Sequence, residues 1–150
     1  MRDVSFESVF AVLGYGYQVL LLADFIARLW RPELELRWGW VVYTLMAVAG
    51  LAVGIGFVAR GVRVKLVIAP FLLALWAGFG LVVDTWLRLP WRQAPMLLVL
   101  IPYVVLFQTS LFGFLFPLWA MGWRLGLPYT VLFVVQTVLN ASSHFVGGEG

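Results

Sequence analysis

Five apolar stretches, each long enough to cross a bilayer as a helix, leave this chain few ways to fold. A hydrocarbon core of about 30 Å is spanned by roughly 20 helical residues. The stretches cover residues 9–29, 38–59, 66–87, 96–119 and 127–145. Lipid offers exposed backbone groups no water, so an open chain crosses only as helices. The sequence therefore predicts an all-α polytopic membrane protein, a five-transmembrane-helix bundle that forms one domain over residues 1–150. Composition points the same way, with 63% hydrophobic and 11% charged residues, against about 25% charged in a typical soluble domain.

The first stretch reads as a retained span and not a cleaved signal. It is longer than an h-region, carries Asp24, and has no small-residue cleavage site. Between the stretches lie RPELELR (31–37), RGVRVK (60–65), RLPWRQAP (88–95) and MGWRLG (121–126). Pro32, Pro90, Pro95 and Pro128 fall at expected helix ends, while Pro70, Pro102 and Pro117 fall inside spans. The net charge of +3 comes from nine arginines and Lys65, placed as ordinary flanks of membrane spans; no nucleic-acid patch is present. Arg2, Arg60, Arg63, Lys65 and Arg124 on one side balance Arg28, Arg31, Arg37, Arg88 and Arg92 on the other, so charge does not set orientation.

Tryptophan is less even. Trp30, Trp38, Trp40, Trp86 and Trp91 gather at the side of the first and third loops, Trp119 and Trp123 lie opposite, and Trp76 is mid-span. Interfacial belts account for most of them, and aromatic walls around a flat apolar ligand would give the same crowding. Up-and-down threading places Asp24, Tyr43, Thr44, Asp84, Tyr103, Asn140 and His144 in that same half of the membrane. Asp24 and Asp84 each precede an arginine by one helical turn, Arg28 and Arg88, so local ion pairing competes with a functional role. In span five, Phe133, Gln136, Asn140 and His144 recur at three- and four-residue intervals and share a face. Two amides on it predict a face turned into the bundle, for helix–helix bonds or ligand contact. Trp40, Tyr43, Ala47, Gly50 and Gly54 share a face of span two, whose lower part is a small-residue seam suited to close packing or dimerisation. An echo between DFIARL (24–29) and DTWLRL (84–89), with Tyr43 and Tyr103 at the same offset, is compatible with a duplicated hairpin.

No catalytic set can be assembled, and no cofactor is required. With zero cysteines and one histidine, thiol chemistry and histidine-rich metal or bis-histidine haem ligation are excluded. Ser142, Ser143 and His144 are sequence neighbours and do not face one another on a helix.

RLGLPYTVLFVVQTVLN (124–140) resembles the last helix of the translocator protein, or tryptophan-rich sensory protein (TspO), family, in the interval from Pro128–Tyr129 to Leu139–Asn140 and in Thr137. Tyr43 and Met46 look like the end of the family's W-x-x-x-Y-x-x-M pattern, and Leu29 with Arg31–Pro32 is similar to its L-x-K-P. The chain departs from the pattern at Gly39, flanked by Trp38 and Trp40, at Phe25 and Ile26, and at Leu132, where the family's span-five tryptophan would fall. The resemblance implies a five-helix bundle, often a homodimer, with a pocket beneath the first loop for porphyrins, haem or sterol-like ligands. Some members are reported to promote porphyrin breakdown.

Residues and resemblance together predict a membrane-embedded binding or sensory protein for a flat hydrophobic ligand, most simply a porphyrin or haem-type tetrapyrrole. Trp38, Trp40, Tyr43 and Phe133 would form walls, Gln136 and Asn140 would orient the ligand, and Arg28 and Arg31 would meet its carboxylates. Asp24, Asp84, Tyr103 and Leu132 are additional candidates. An accessory subunit packing on partner helices, and a small transporter using Asp24 and Asp84, are the competing readings.

Overall fold

The computed structural model describes residues 4–89 and 96–146, all of them in helices or short connections. Helix α1 covers Val4–Trp30 and α2 Pro32–Ala59; α3 covers Val64–Gly80 and continues as a π turn, Leu81–Trp86. Helices α4 (Leu97–Met121) and α5 (Trp123–Val146) complete the chain. Residues Phe6–Trp30, Arg37–Ala59, Val64–Trp86 and Leu97–Met121 form four helices long and apolar enough to cross a membrane. These make the chain an integral, multi-pass membrane protein. Over its described residues α5 does not reach that apolarity, because Gln136, Thr137 and Asn140 interrupt a valine- and leucine-rich run.

The connections are tighter than hydropathy alone suggests. Arg31 is the one non-helical residue between α1 and α2, since Pro32 starts the next helix with φ already suited to it. The PELELR segment, expected as loop, is therefore the first turns of α2. A Schellman motif ends α2: Val62 N–H donates to the Phe57 carbonyl and Gly61 N–H to Val58, both at 3.0 Å. Gly61 supplies the φ of +65° that this motif requires. Gly122, at φ +148°, alone separates α4 from α5, so Pro128, expected at a helix start, lies inside α5. The π turn closes with Leu87 N–H on the Val82 carbonyl at 2.9 Å, and Arg88 at φ +48° ends it. Residues 90–95 of the third expected loop lie outside the described residues.

Each helix packs on its neighbours in sequence, and α1 also packs on α5, which closes a five-helix ring. Apolar burial against lipid adds little driving force, so close packing must hold such a bundle. Two features supply it. Gly50 and Gly54 bring α2 against α3, where a Cβ on Gly50 would stand 2.6 Å from the Pro70 carbonyl oxygen and 3.0 Å from the Ala74 nitrogen. The small-residue seam of span two is thus occupied within the chain. The second is aromatic interdigitation: Phe10 and Tyr17 of α1 meet Phe114 of α4 with ring centroids 4.9 and 6.1 Å apart. Outward faces carry Val48, Leu51, Ile55 and Val58 on α2 and Leu98, Val105 and Phe116 on α4, as lipid contact requires. At one end Arg63 reaches Glu7 at 2.9 Å, an exposed pair whose contribution is about 0–1 kcal/mol.

Candidate functional site

Trp76, only 1% exposed, occupies the bundle centre midway along α3. Its ring lies 5.6 Å from Tyr17, 5.5 Å from Tyr43, 5.8 Å from Tyr103 and 5.3 Å from Phe107. These four rings come from α1, α2 and α4, so one indole ties three helices to a fourth. Gly80 makes room for the arrangement: a Cβ there would stand 2.7 Å from the Tyr43 ring. The hydroxyls of Tyr43 and Tyr103 are hydrogen-bonded at 2.9 Å. The two tyrosines singled out by their common offset therefore meet inside the bundle. The aspartates of the same echo differ in setting, since Asp24 lies in regular helix and Asp84 in the π turn.

Six further sequence-selected residues, Asp24, Arg28, Leu132, Phe133, Gln136 and Asn140, lie on α1 and α5. Gln136 is fully buried on α5, and neither atom of its amide has a hydrogen-bond partner. Antiparallel packing of α5 on α4 pairs Phe133 with Phe112 at 5.5 Å and so sets Gln136 near the level of Phe107. Phe133 itself is half-buried, as are Leu132 and Asn140. Arg28 pairs with Asp24 at 3.1 Å, both largely shielded, and its guanidinium lies 5.4 Å from the Phe25 ring centre. The expected i,i+4 pair in span one is therefore formed.

The tryptophans proposed as walls stand elsewhere. Trp38 and Trp40 are 53% and 50% exposed on the outer surface of α2, with Arg37 over the Trp38 ring. Trp30 and Trp86 are more exposed still. This is the placement of an interfacial belt, where an indole keeps its ring in the acyl boundary and its N–H in the headgroups. Arg31 is exposed at the α1–α2 junction. The side chain of His144 lies outside the described residues.

Sequence reasoning missed the middle of α1. Tyr17 is buried and its hydroxyl bonds Ser110 at 2.8 Å, while Ser110 donates to the Phe107 carbonyl. Gln18 is fully buried with both amide atoms unpartnered. An amide in the middle of an apolar stretch was the available signal, the same one that marks Gln136. On the outside, a shallow groove of about 320 Å³ between α1 and α2 is lined by Ser8, Val9, Val12, Leu13 and Val53.

The geometry defines a helical membrane bundle with an aromatic centre and buried amides. No family pattern, characterised protein or solved structure matches the chain.

Proposed function

We propose that this chain crosses the membrane five times and binds a flat, hydrophobic ligand of the tetrapyrrole class inside the bundle, between α5 and the Trp76 cluster. The observation that carries the reading is the Gln136 amide, buried without a partner near the level of large aromatic rings. Leaving an amide unbonded in an apolar interior is unfavourable by about 1–3 kcal/mol on protein scales, and a ligand carbonyl, carboxyl or pyrrole N–H would remove that penalty. Tyr43, Trp76, Tyr103 and Phe107 pack on one another, and a planar guest would exchange some of those ring contacts for its own. Arg28, shielded beside Asp24, lies one turn before the α1–α2 junction at Arg31, where an acidic substituent would emerge. The resemblance of residues 124–140 to the translocator protein family supports the same ligand class. Trp38 and Trp40 belong in this reading to the belt that holds the bundle at depth.

Titration of the purified protein with protoporphyrin IX, read by quenching of tryptophan fluorescence, tests this. Saturable quenching is expected, with Gln136→Leu weakening it roughly tenfold, the effect of one lost hydrogen bond of about 1.4 kcal/mol. Trp38→Phe and Trp40→Phe are expected to bind like the parent. Unsaturable quenching, or parental affinity in Gln136→Leu, would overturn the assignment.

A further inference from the structure

We infer a second, smaller site at mid-membrane depth, between α1, α4 and α5, where the Gln18 amide holds ordered water. Gln18 lies at the middle of the span Phe6–Trp30 and has no exposed surface. Its amide offers two donors and a two-lone-pair acceptor, and neither atom has a partner. It meets the Tyr129 hydroxyl at the margin of hydrogen-bonding geometry.

The surrounding protein groups are already engaged. Tyr15 donates to the Leu125 carbonyl at 2.6 Å. Ser110 donates to the Phe107 carbonyl, so the hydrogen of the Tyr17–Ser110 contact is the tyrosine's. Tyr129 reaches the Leu111 carbonyl at 3.5 Å, the outer limit of a hydrogen bond, so both of its contacts, this one and that to Gln18, are marginal. Gln18 and Tyr129 thus retain unused capacity toward each other's side, and an occupant that both donates and accepts satisfies both. None of the side chains that define the site carries charge (Tyr15, Tyr17, Gln18, Ser110 and Tyr129), so the occupant is neutral. Fully buried Leu111 and Phe114 stand close by, which keeps it small. Water fits both conditions, and buried waters bridge polar groups that the protein leaves unsatisfied. The inference is independent of the ligand proposed above, whose anchor, Gln136, lies about two turns away on α5.

Radiolytic hydroxyl-radical labelling of the intact protein in nanodiscs, carried out in oxygen-18 water, reads this directly. Tyr129 has no exposed surface, yet it is expected to take up label in the parent protein and to lose most of it in Gln18→Leu and Gln18→Met. Phe10, equally buried against Phe114, is expected to stay unlabelled in all three. An unlabelled Tyr129 in the parent protein overturns the inference on its own, whatever the variants do. Equal labelling in a folded variant overturns the role of Gln18. Thermal unfolding adds a second readout. Loss of a hydrated amide lowers the midpoint, whereas a dry, unsatisfied amide replaced by Met would leave it unchanged or raise it, and that result would also count against the site.

Discussion

Gly50→Val is expected to lower the thermal unfolding midpoint in detergent by roughly 6–12 °C, the shift that about 3 kcal/mol produces in a chain of this size. The reason is the identity of the atoms in the way. A Cβ at Gly50 meets the Pro70 carbonyl oxygen at 2.6 Å and the Ala74 nitrogen at 3.0 Å. Both are backbone, and neither can rotate aside as a side chain can. Pro70 also interrupts the α3 ladder, so its neighbourhood cannot shift without disturbing bonds that lipid will not replace. The helices must therefore separate, with loss of contacts along the whole α2–α3 seam. Gly56→Val, on the same helix but with nothing within 4 Å of its Cβ, is the control and is expected to unfold within about 2 °C of the parent, as surface substitutions do. Equal midpoints for the two variants would contradict the α2–α3 packing described here.

Trp76→Ala is expected to be the most damaging single truncation, at about 3–5 kcal/mol for a buried tryptophan. Its indole touches rings from α1, α2 and α4, and its removal leaves a cavity that three helices would have to close together. Aromatic pairs contribute about 0.5–1.5 kcal/mol each beyond area, so several are lost in one change. Trp76→Phe restores part of the volume and removes a buried indole N–H that has no partner, and its expected loss is less than half as large. Trp38→Ala and Trp40→Ala remove side chains about half exposed to lipid and are expected to shift the midpoint little. Chemical unfolding of the four variants ranks them, and a Trp38→Ala as destabilised as Trp76→Ala would contradict the placement of both indoles.

The spans were legible because length and apolarity act together in lipid. Trp40–Ala59 is helical for the same reason it is hydrophobic. Helix ends were less legible, since Pro32 and Glu33 continue a helix beyond the bilayer as readily as they end one, and hydropathy does not distinguish the two. The π turn at Leu81–Trp86 leaves no mark in residue type at all. Within the site, the inward face of α5 was readable from Gln136, because an amide cannot face acyl chains without penalty. The Tyr43–Tyr103 contact was not legible, because a common offset marks equivalent positions in a repeat and does not say that they touch. The outward tryptophans were not readable in the same way, because an indole is at home both in a belt and in a core. The different depths of Trp76 and Trp40 follow from their places in the spans, but which way each indole faces only packing decides. Gln18, directly after Tyr17, carried the same signal as Gln136.

The closing contact between α1 and α5 turns Gln136 inward, and the binding site proposed above exists only if α5 crosses the membrane as the fifth span. The chain has no cysteine, so single cysteines at its two ends report the number of crossings without interference. In sealed vesicles of uniform orientation, Arg2→Cys and Gly148→Cys are expected to react with a membrane-impermeant maleimide from opposite sides. Reaction of both from the same side would mean an even number of crossings and would contradict the proposed site, which needs α5 and its amides within the membrane.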